Sequence, residues 1–375
     1  VTDISHQKRN AQLVNRFGRI FGKSKDEIYV FEEHEYRFIQ VNDAALKNLG
    51  YTIDELKQMS PVDINPDLNF SQIKQSLEQF KNDPKAHMVL QTRQRRKDGS
   101  IYPVEVSTEY IADETPPVFV SIVQEISEKQ KLLQIRQDLK TAARIQTHLM
   151  PSTKLDVPGY CISGLNIPSK EVGGDYFDIL NMENGELVFC LGDVAGKGMP
   201  AALLMSNLQA VIRGQSMLNR TADGCLTMTN QLLSFSMPQD RFITLFYGIL
   251  TPDTGEISSA NAGHIPPIII SGDNRVSRFP KGNMALGLRK KTVYAPHKQI
   301  LKKNDICIIF SDGIIESTSK DGAEYDERML IEGVIKYKQK RSEEIAEAIL
   351  ADIRKFTSGI PQQDDLTLLV IKKLT

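Results

Sequence analysis

Four times in its C-terminal half, this chain places an aspartate where an apolar stretch meets a turn. The segments read Gly173-Gly174-Asp175-Tyr176, Gly192-Asp193-Val194-Ala195-Gly196, Ser311-Asp312-Gly313 and Gln363-Asp364-Asp365-Leu366-Thr367. The strand-like run Leu187 to Leu191 delivers Asp193 at its end, Ile306 to Phe310 delivers Asp312, and Asp364 stands just before Leu366 to Ile371. Gly192, Gly196 and Gly198 permit a tight backbone in which a main-chain carbonyl, such as that of Val194, points at a cation. A single aspartate at a strand end is usually a cap or turn former. Four of them beside apolar runs of one region argue for a shared task. Hard cations such as Mg²⁺ and Mn²⁺ take oxygen ligands of this kind, and carboxylates gathered from distant positions hold two such ions and activate a bridging water. The expectation is a metal-dependent hydrolase of a phosphate ester.

Composition narrows the alternatives. A length of 375 residues suggests two or three domains, and 41% hydrophobic with 25% charged residues is ordinary globular composition. The net charge of -1 gives no long-range pull toward nucleic acid or anionic lipid. No apolar run approaches the roughly 18 residues of a membrane span, and no cleavable leader is visible, so a cytoplasmic protein is expected. The chain begins at Val1 rather than Met, which leaves upstream residues open. Cys161, Cys190, Cys225 and Cys307 are scattered and read as small core residues of a reducing compartment. None lies in a phosphate-cradling loop, so a cysteine phosphatase is set aside in favour of the two-cation site.

The N-terminal third has a different rhythm. Residues 1–25 read as a basic amphipathic helix bearing Lys8, Arg9, Arg16, Arg19, Lys23 and Lys25. Ile28 to Phe31 and Arg37 to Val41 form a strand pair, Asn42 caps a helix that ends at Gly50, and Thr52 with Glu55 makes a capping box. Val89 to Arg95 and Tyr102 to Tyr110 flank Lys97-Asp98-Gly99-Ser100 as a hairpin, and Val118 to Val123 adds a strand. The run Val41-Asn42-Asp43-Ala44-Ala45, the segment Leu49 to Leu56 and the segment Arg95 to Val106 resemble a PAS sensor domain over roughly residues 18–127. There is no cysteine before Cys161 for flavin photochemistry, and neither His34 in a turn nor His87 near a strand start is placed as a haem ligand. The ligand of this module is not legible.

Between 124 and 150 the period becomes helical. Leu132, Ile135, Leu139, Ala142, Gln146 and Leu149 make a short heptad seam ended by Pro151, which suggests a parallel homodimer through the PAS domain and this helix. From Tyr160 onward strands dominate, with helices over Pro200 to Arg213, Thr221 to Phe235, Tyr325 to Tyr337 and Ser342 to Thr357. This is an α+β chain with helices covering packed sheets.

Residues from about 142 to the end are similar to the SpoIIE/RsbU-type branch of the PPM (PP2C-like) serine/threonine phosphatases. The resemblance rests on Ala143 to Gln146 with Leu149 to Pro151, Glu171 to Asp178, Gly192 to Ala202, Asn261 to Pro267, Ser311 to Glu316 and Asp364 to Thr367. It implies an αββα sandwich, with two Mn²⁺ or Mg²⁺ ions held by Asp175, Asp193, the Val194 carbonyl, Asp312 and Asp364. The same four aspartates act catalytically through metal-activated water, and Asp365 is the lesser candidate of its pair. The branch lacks the phosphate-binding arginine of its eukaryotic relatives. Lys197 reads equally as an anion contact or a surface lysine, and His264 as structural or substrate-adjacent, with general-acid work as the alternative. The implied organisation is an N-terminal helix (1–25), a PAS domain (26–123), a helical linker (124–150) and a phosphatase domain (151–375). The implied substrate is a phosphorylated STAS-domain anti-anti-sigma protein in a stress-response partner-switching pathway that controls a sigma factor. Two other readings stay open: hydrolysis of a small phosphate compound, and a non-catalytic phosphoprotein scaffold.

Overall fold

The computed structural model describes residue 12 and residues 15–82 and 88–375. The chain divides into two compact units, Val1–Arg136 and Gln137–Thr375. Of the expected leading helix, residues 15–23 are helical, whereas 1–11, with Lys8 and Arg9, lie outside the described residues, as does His87.

The first unit wraps short helices around one antiparallel sheet. Strands β1 (Glu27–Glu32) and β2 (Phe38–Val41) precede helices α1 (Asp43–Leu49), α2 (Ile53–Leu56), α3 (Pro61–Ile64) and α4 (Phe70–Asn82). Strands β3 (Met88–Arg95), β4 (Ile101–Ile111) and β5 (Val118–Glu125) complete the sheet in the order β2-β1-β5-β4-β3. The local signals act as expected. The Asn42 side chain accepts from Ala45 N at 3.1 Å, Gly50 takes the left-handed conformation that ends α1, and Thr52 and Glu55 cap each other's backbone. Phe31 and Phe119 stack at 5.4 Å in the core. His34 is exposed, and the basic hairpin is paired: Arg93 with Asp67, Arg96 with Glu125 and Lys97 with Glu55.

Helix α5 (Ser127–Leu149) follows. Its seam has two parts. Leu132 and Ile135 are exposed, while Gln146 is buried and the Leu149 carbonyl accepts from Gln209 and Arg213 at 3.2 and 3.3 Å. The last turn of the seam is therefore packed on its own unit.

The second unit begins with β6 (Lys154–Val157), β7 (Tyr160–Ile167), β8 (Tyr176–Asn181) and β9 (Leu187–Val194), then α6 (Met199–Leu218) and α7 (Ala222–Leu233). Next come β10 (Ile243–Thr251), β11 (Glu256–Ala262), β12 (Ile268–Ile270), β13 (Val276–Arg278), β14 (His297–Ile300) and β15 (Ile306–Phe310). Helices α8 (Asp312–Ile315), α9 (Glu327–Tyr337) and α10 (Ser342–Thr357) lead to β16 (Leu366–Lys373). Two antiparallel sheets result, ordered β14-β11-β10-β9-β8 and β13-β12-β15-β16-β7-β6.

The sheets face each other through Phe177, Leu187, Phe189, Leu191, Phe246, Leu369 and Ile371. The opposite face of the first sheet, including Val188, Cys190 and Val194, is covered by α6 and α7, and α9 and α10 cover the second. This is the αββα layering that the resemblance implies. It also explains why β9 reads as a continuous apolar run: alternate residues enter two different hydrophobic cores. No helix among the described residues is long and apolar enough to cross a membrane.

The inter-sheet layer leaves little slack. A Cβ on Gly164 of β7 would lie 2.0 Å from the Phe177 ring. Gly164→Ala is expected to destabilise the protein by about 1–3 kcal/mol, read as a drop in the thermal unfolding midpoint, because overpacking a filled core forces side chains off their rotamers. An unchanged midpoint would mean that the ring moves freely and the layer is loosely packed.

Candidate functional site

The aspartate turns meet at one end of the sandwich, where strands from both sheets stop. Tyr176 of β8 pairs with Gly192 of β9, so Asp175 opens one strand beside the point where Asp193 nears the end of the next. From the other sheet, Thr367 of β16 donates its hydroxyl to Asp175 Oδ2 at 2.5 Å. That hydroxyl in turn accepts from Asn166 Nδ2 at 2.8 Å. Asp312 starts α8 directly after β15, and the Ser311 hydroxyl accepts from Thr367 N at 3.0 Å, which ties the Asp312 turn to the start of β16. Asp364 precedes β16 and is paired with Lys197 Nζ at 2.8 Å; the same ammonium donates to the Gln363 carbonyl at 2.6 Å.

Asp365 has a different task. Its Oδ1 accepts from the backbone and hydroxyl of Ser169 at 2.7 and 2.9 Å, and its Oδ2 accepts from Gly174 N at 2.7 Å and Asp175 N at 3.4 Å. The carboxylate is a clasp on the loop that carries Asp175. A Cβ on Gly173 would stand 2.5 Å from that Oδ2, so no larger residue fits the turn. The far side of the same turn is held by Gln146 of α5, which accepts from Gly173 N at 3.0 Å and donates to Gly173 O at 2.8 Å. The turn after Asp193 is braced by Arg241, whose Nη1 donates to Ala195 O at 2.8 Å.

Burial and crowding raise the carboxyl groups together. Burial, then the charge of Asp193, hold the Asp175 carboxyl well above its ordinary range. Burial, then Asp312 and Asp364, push Asp193 up to about 7. Burial and Asp364 raise Asp312. These groups share one electrostatic field, and Lys197 is the ammonium paired within it. Among the described residues, no three His, Cys, Asp or Glu side chains are grouped closely enough to hold a metal ion as they stand. The set is open, all-oxygen and strongly acidic, which suits a hard divalent cation that keeps part of its water shell and does not suit a tight structural site.

Asp175, Asp193, Val194, Asp312 and Asp364 thus come to one end of the fold. His264 is buried, its Nδ1 2.9 Å from Thr244 Oγ1, and its backbone N–H is bonded to Asn261 Oδ1 at 2.8 Å. Burial lowers its pKa to about 4, so the ring is neutral at physiological pH. The turn is closed by the His264 backbone and the Asn261 side chain, while the enclosed ring meets Thr244. Sequence reasoning did not foresee the roles of Gln146, Ser169, Asn166 and Arg241, because their partners Gly173, Asp365, Thr367 and Ala195 lie far along the chain.

Comparison with known proteins agrees with this layout. The model of the family Stage II sporulation protein E (SpoIIE) matches residues 183–374, more than half of the chain. The chain belongs to the SpoIIE family. A PAS domain model matches residues 26–128. The chain is 27% identical over 252 residues to phosphoserine phosphatase RsbU of Bacillus subtilis (strain 168), across 66% of this chain and 74% of that protein. It is 22% identical over 263 residues to protein IcfG of Synechocystis sp. (strain ATCC 27184 / PCC 6803 / Kazusa), across 63% of this chain but only 41% of that longer relative. In structure it is similar to the SiaA-PP2C domain of Pseudomonas aeruginosa, with a TM-score of 0.57 at 20% identity, covering 66% of this chain and 99% of that one. The SpoIIE-family part is a phosphatase domain with the PP2C-like fold, joined to a PAS domain.

The raised carboxyl pKa values have a consequence for stability. Unfolded aspartates titrate near 3.9. The raised groups therefore favour the fold below about pH 4, and that contribution is lost as pH rises through about 7. In chelator, Asp193→Asn is expected to raise the unfolding midpoint at pH 8 by at least about 2 °C, with the gain shrinking toward pH 4. A midpoint lowered at pH 8 would show that the carboxylates do not repel one another in the fold.

Proposed function

We propose that this chain is a PAS-regulated, metal-dependent phosphoserine/phosphothreonine protein phosphatase. The observation that carries this reading is the gathering of Asp175, Asp193, Asp312 and Asp364 from four separate strand ends into one acidic field. In this proposal those side chains, with the Val194 carbonyl, hold two Mn²⁺ or Mg²⁺ ions. Bound there, the ions would supply Lewis-acid polarisation of the phosphoryl oxygens and a nucleophilic water at neutral pH. Thr367 and Asn166 fix the Asp175 carboxylate, and Asp365 fixes its backbone. Lys197 neutralises Asp364 at the mouth of the site and stands ready to meet an anionic phosphoester. The similarity to phosphoserine phosphatase RsbU supports a protein substrate, and we assign a phosphorylated STAS-domain protein of a partner-switching pathway. Four buried, unpaired cysteines accord with a reducing, cytoplasmic setting.

Control would run through α5. One end of this helix leaves the PAS unit, and near the other end Gln146 grips the backbone next to Asp175. Leu132 and Ile135, exposed on one face, fit a second copy of the same helix in a parallel dimer. A change in helix packing would then move the Gly173 turn and bias metal affinity between two states.

Two measurements test these points. With Mn²⁺, the full chain should release phosphate from a phosphorylated STAS protein in preference to nucleotides, and Asp193→Ala should lower the rate by more than about 10²-fold, since even residues that only orient metal ligands cost up to that much. Mn²⁺-independent turnover, or full activity in Asp193→Ala, would sink the two-cation reading. A fragment beginning at residue 137 should differ from the full chain in Mn²⁺ affinity; equal affinity and equal activity would dismiss control through the helix.

A further inference from the structure

Next to Asp364 a cleft of about 220 Å³ opens between the end of α10 and the segment that follows α8. Its floor is aliphatic, built from Leu350, Ile353 and Leu366 of the helix-covered core. One wall is the stretch 316–318 and the other is 360–363, and Lys197 and Arg354 stand on the rim. Side-chain bonds to the backbone fix both walls. Gln362 Nε2 donates to the Ile167 and Asp364 carbonyls, each at 2.7 Å, and Ser317 Oγ donates to Gly313 O at 2.7 Å. The cleft is preformed, and against a water's share of ~30 Å³ it has room for a whole side chain.

Two of its features select an occupant. The aliphatic floor gains by being covered with an apolar group. Arg354 is exposed and makes no ion pair among the described residues, whereas Glu316 stands on the wall beside the aspartates. An acidic residue is therefore attracted at the Arg354 end and repelled at the Glu316 end. The cleft is also continuous with the acidic centre, because Asp364, Gly313 and Lys197 belong to both. An extended peptide whose phosphorylated residue lies at the carboxylates can run into it, with alternate side chains about 6.6–6.8 Å apart on the same face.

Resting on the phosphoprotein reading above, we infer that this cleft is the substrate-sequence pocket: it takes an aliphatic side chain within three residues of the phosphoserine, with an acidic neighbour that meets Arg354. The test uses the full chain with Mn²⁺ and two series of phosphoserine peptides. One series carries Leu or Ala at each of three positions on either side of the phosphoserine; the other carries Glu or Lys beside the preferred Leu. At one position Leu should exceed Ala in kcat/KM by about tenfold or more, the scale at which hydrophobic pockets discriminate. Thr357→Trp, which fills the cleft, should bring that ratio close to one, and Arg354→Glu should invert the preference for Glu over Lys. Ratios survive a general loss of activity, so a partly damaged variant still answers. Turnover of an aryl phosphate with equal rates across both peptide series, or ratios unchanged in both variants, overturns the cleft and leaves the phosphatase reading standing. Absence of Mn²⁺-dependent turnover of every phosphoester overturns both.

Discussion

The crowding of carboxylates, one buried and three half-buried, at one end of the sandwich is the constraint around which the second unit is organised. Burial raises Asp175, Asp193 and Asp312 first; the charge of Asp193 then adds to Asp175, those of Asp312 and Asp364 add to Asp193, and that of Asp364 adds to Asp312. A fold gains nothing from bringing such groups together unless something else compensates. Each is therefore restrained from outside: Thr367 on Asp175, Lys197 on Asp364, Ser311 at the Asp312 turn and Arg241 at the turn after Asp193. These restraints come from both sheets, so the inter-sheet core is also what holds the geometry of the site. The site is costly to the fold by itself and suited to a cation.

Asp365 shows how two adjacent carboxylates divide the work. Asp364 points toward the open side and pairs with Lys197, whereas Asp365 turns back and collects N–H groups of the Ser169 to Asp175 loop. Gln146 holds the opposite side of that loop. The position of Asp175 is thus set between a strand of the sandwich and a helix that begins in the PAS unit. The helix reaches the turn beside Asp175 directly, through the two hydrogen bonds between Gln146 and Gly173.

Much of this was legible in the sequence. Ile306 to Phe310 and Leu187 to Leu191 read as strands because both faces of each are buried. Helix α10 was placed at Ser342 to Thr357, the bounds it adopts, because its apolar stripe is regular and acidic residues mark its first turn. Strand β11, with the sequence EISSANA, gave no such signal: its small polar residues are buried by sheet pairing and not by hydrophobicity. Four-residue α8 was missed because a single turn has no periodicity. The aspartates were found because each follows or precedes a strong strand. Their clasps were not, since Asp365 and Gly174 are 191 residues apart and Gln146 occupies what reads as a heptad position.

The account is tested most directly by a crystal structure of the full chain grown with Mn²⁺ and measured at the manganese absorption edge. Two anomalous peaks about 3.5–4 Å apart are expected among Asp175, Asp193, Asp312 and Asp364. Asp365 should still be bonded to Ser169 and Gly174. Anomalous density on Asp365, or none among the four aspartates at saturating Mn²⁺, would contradict the assignment of the site.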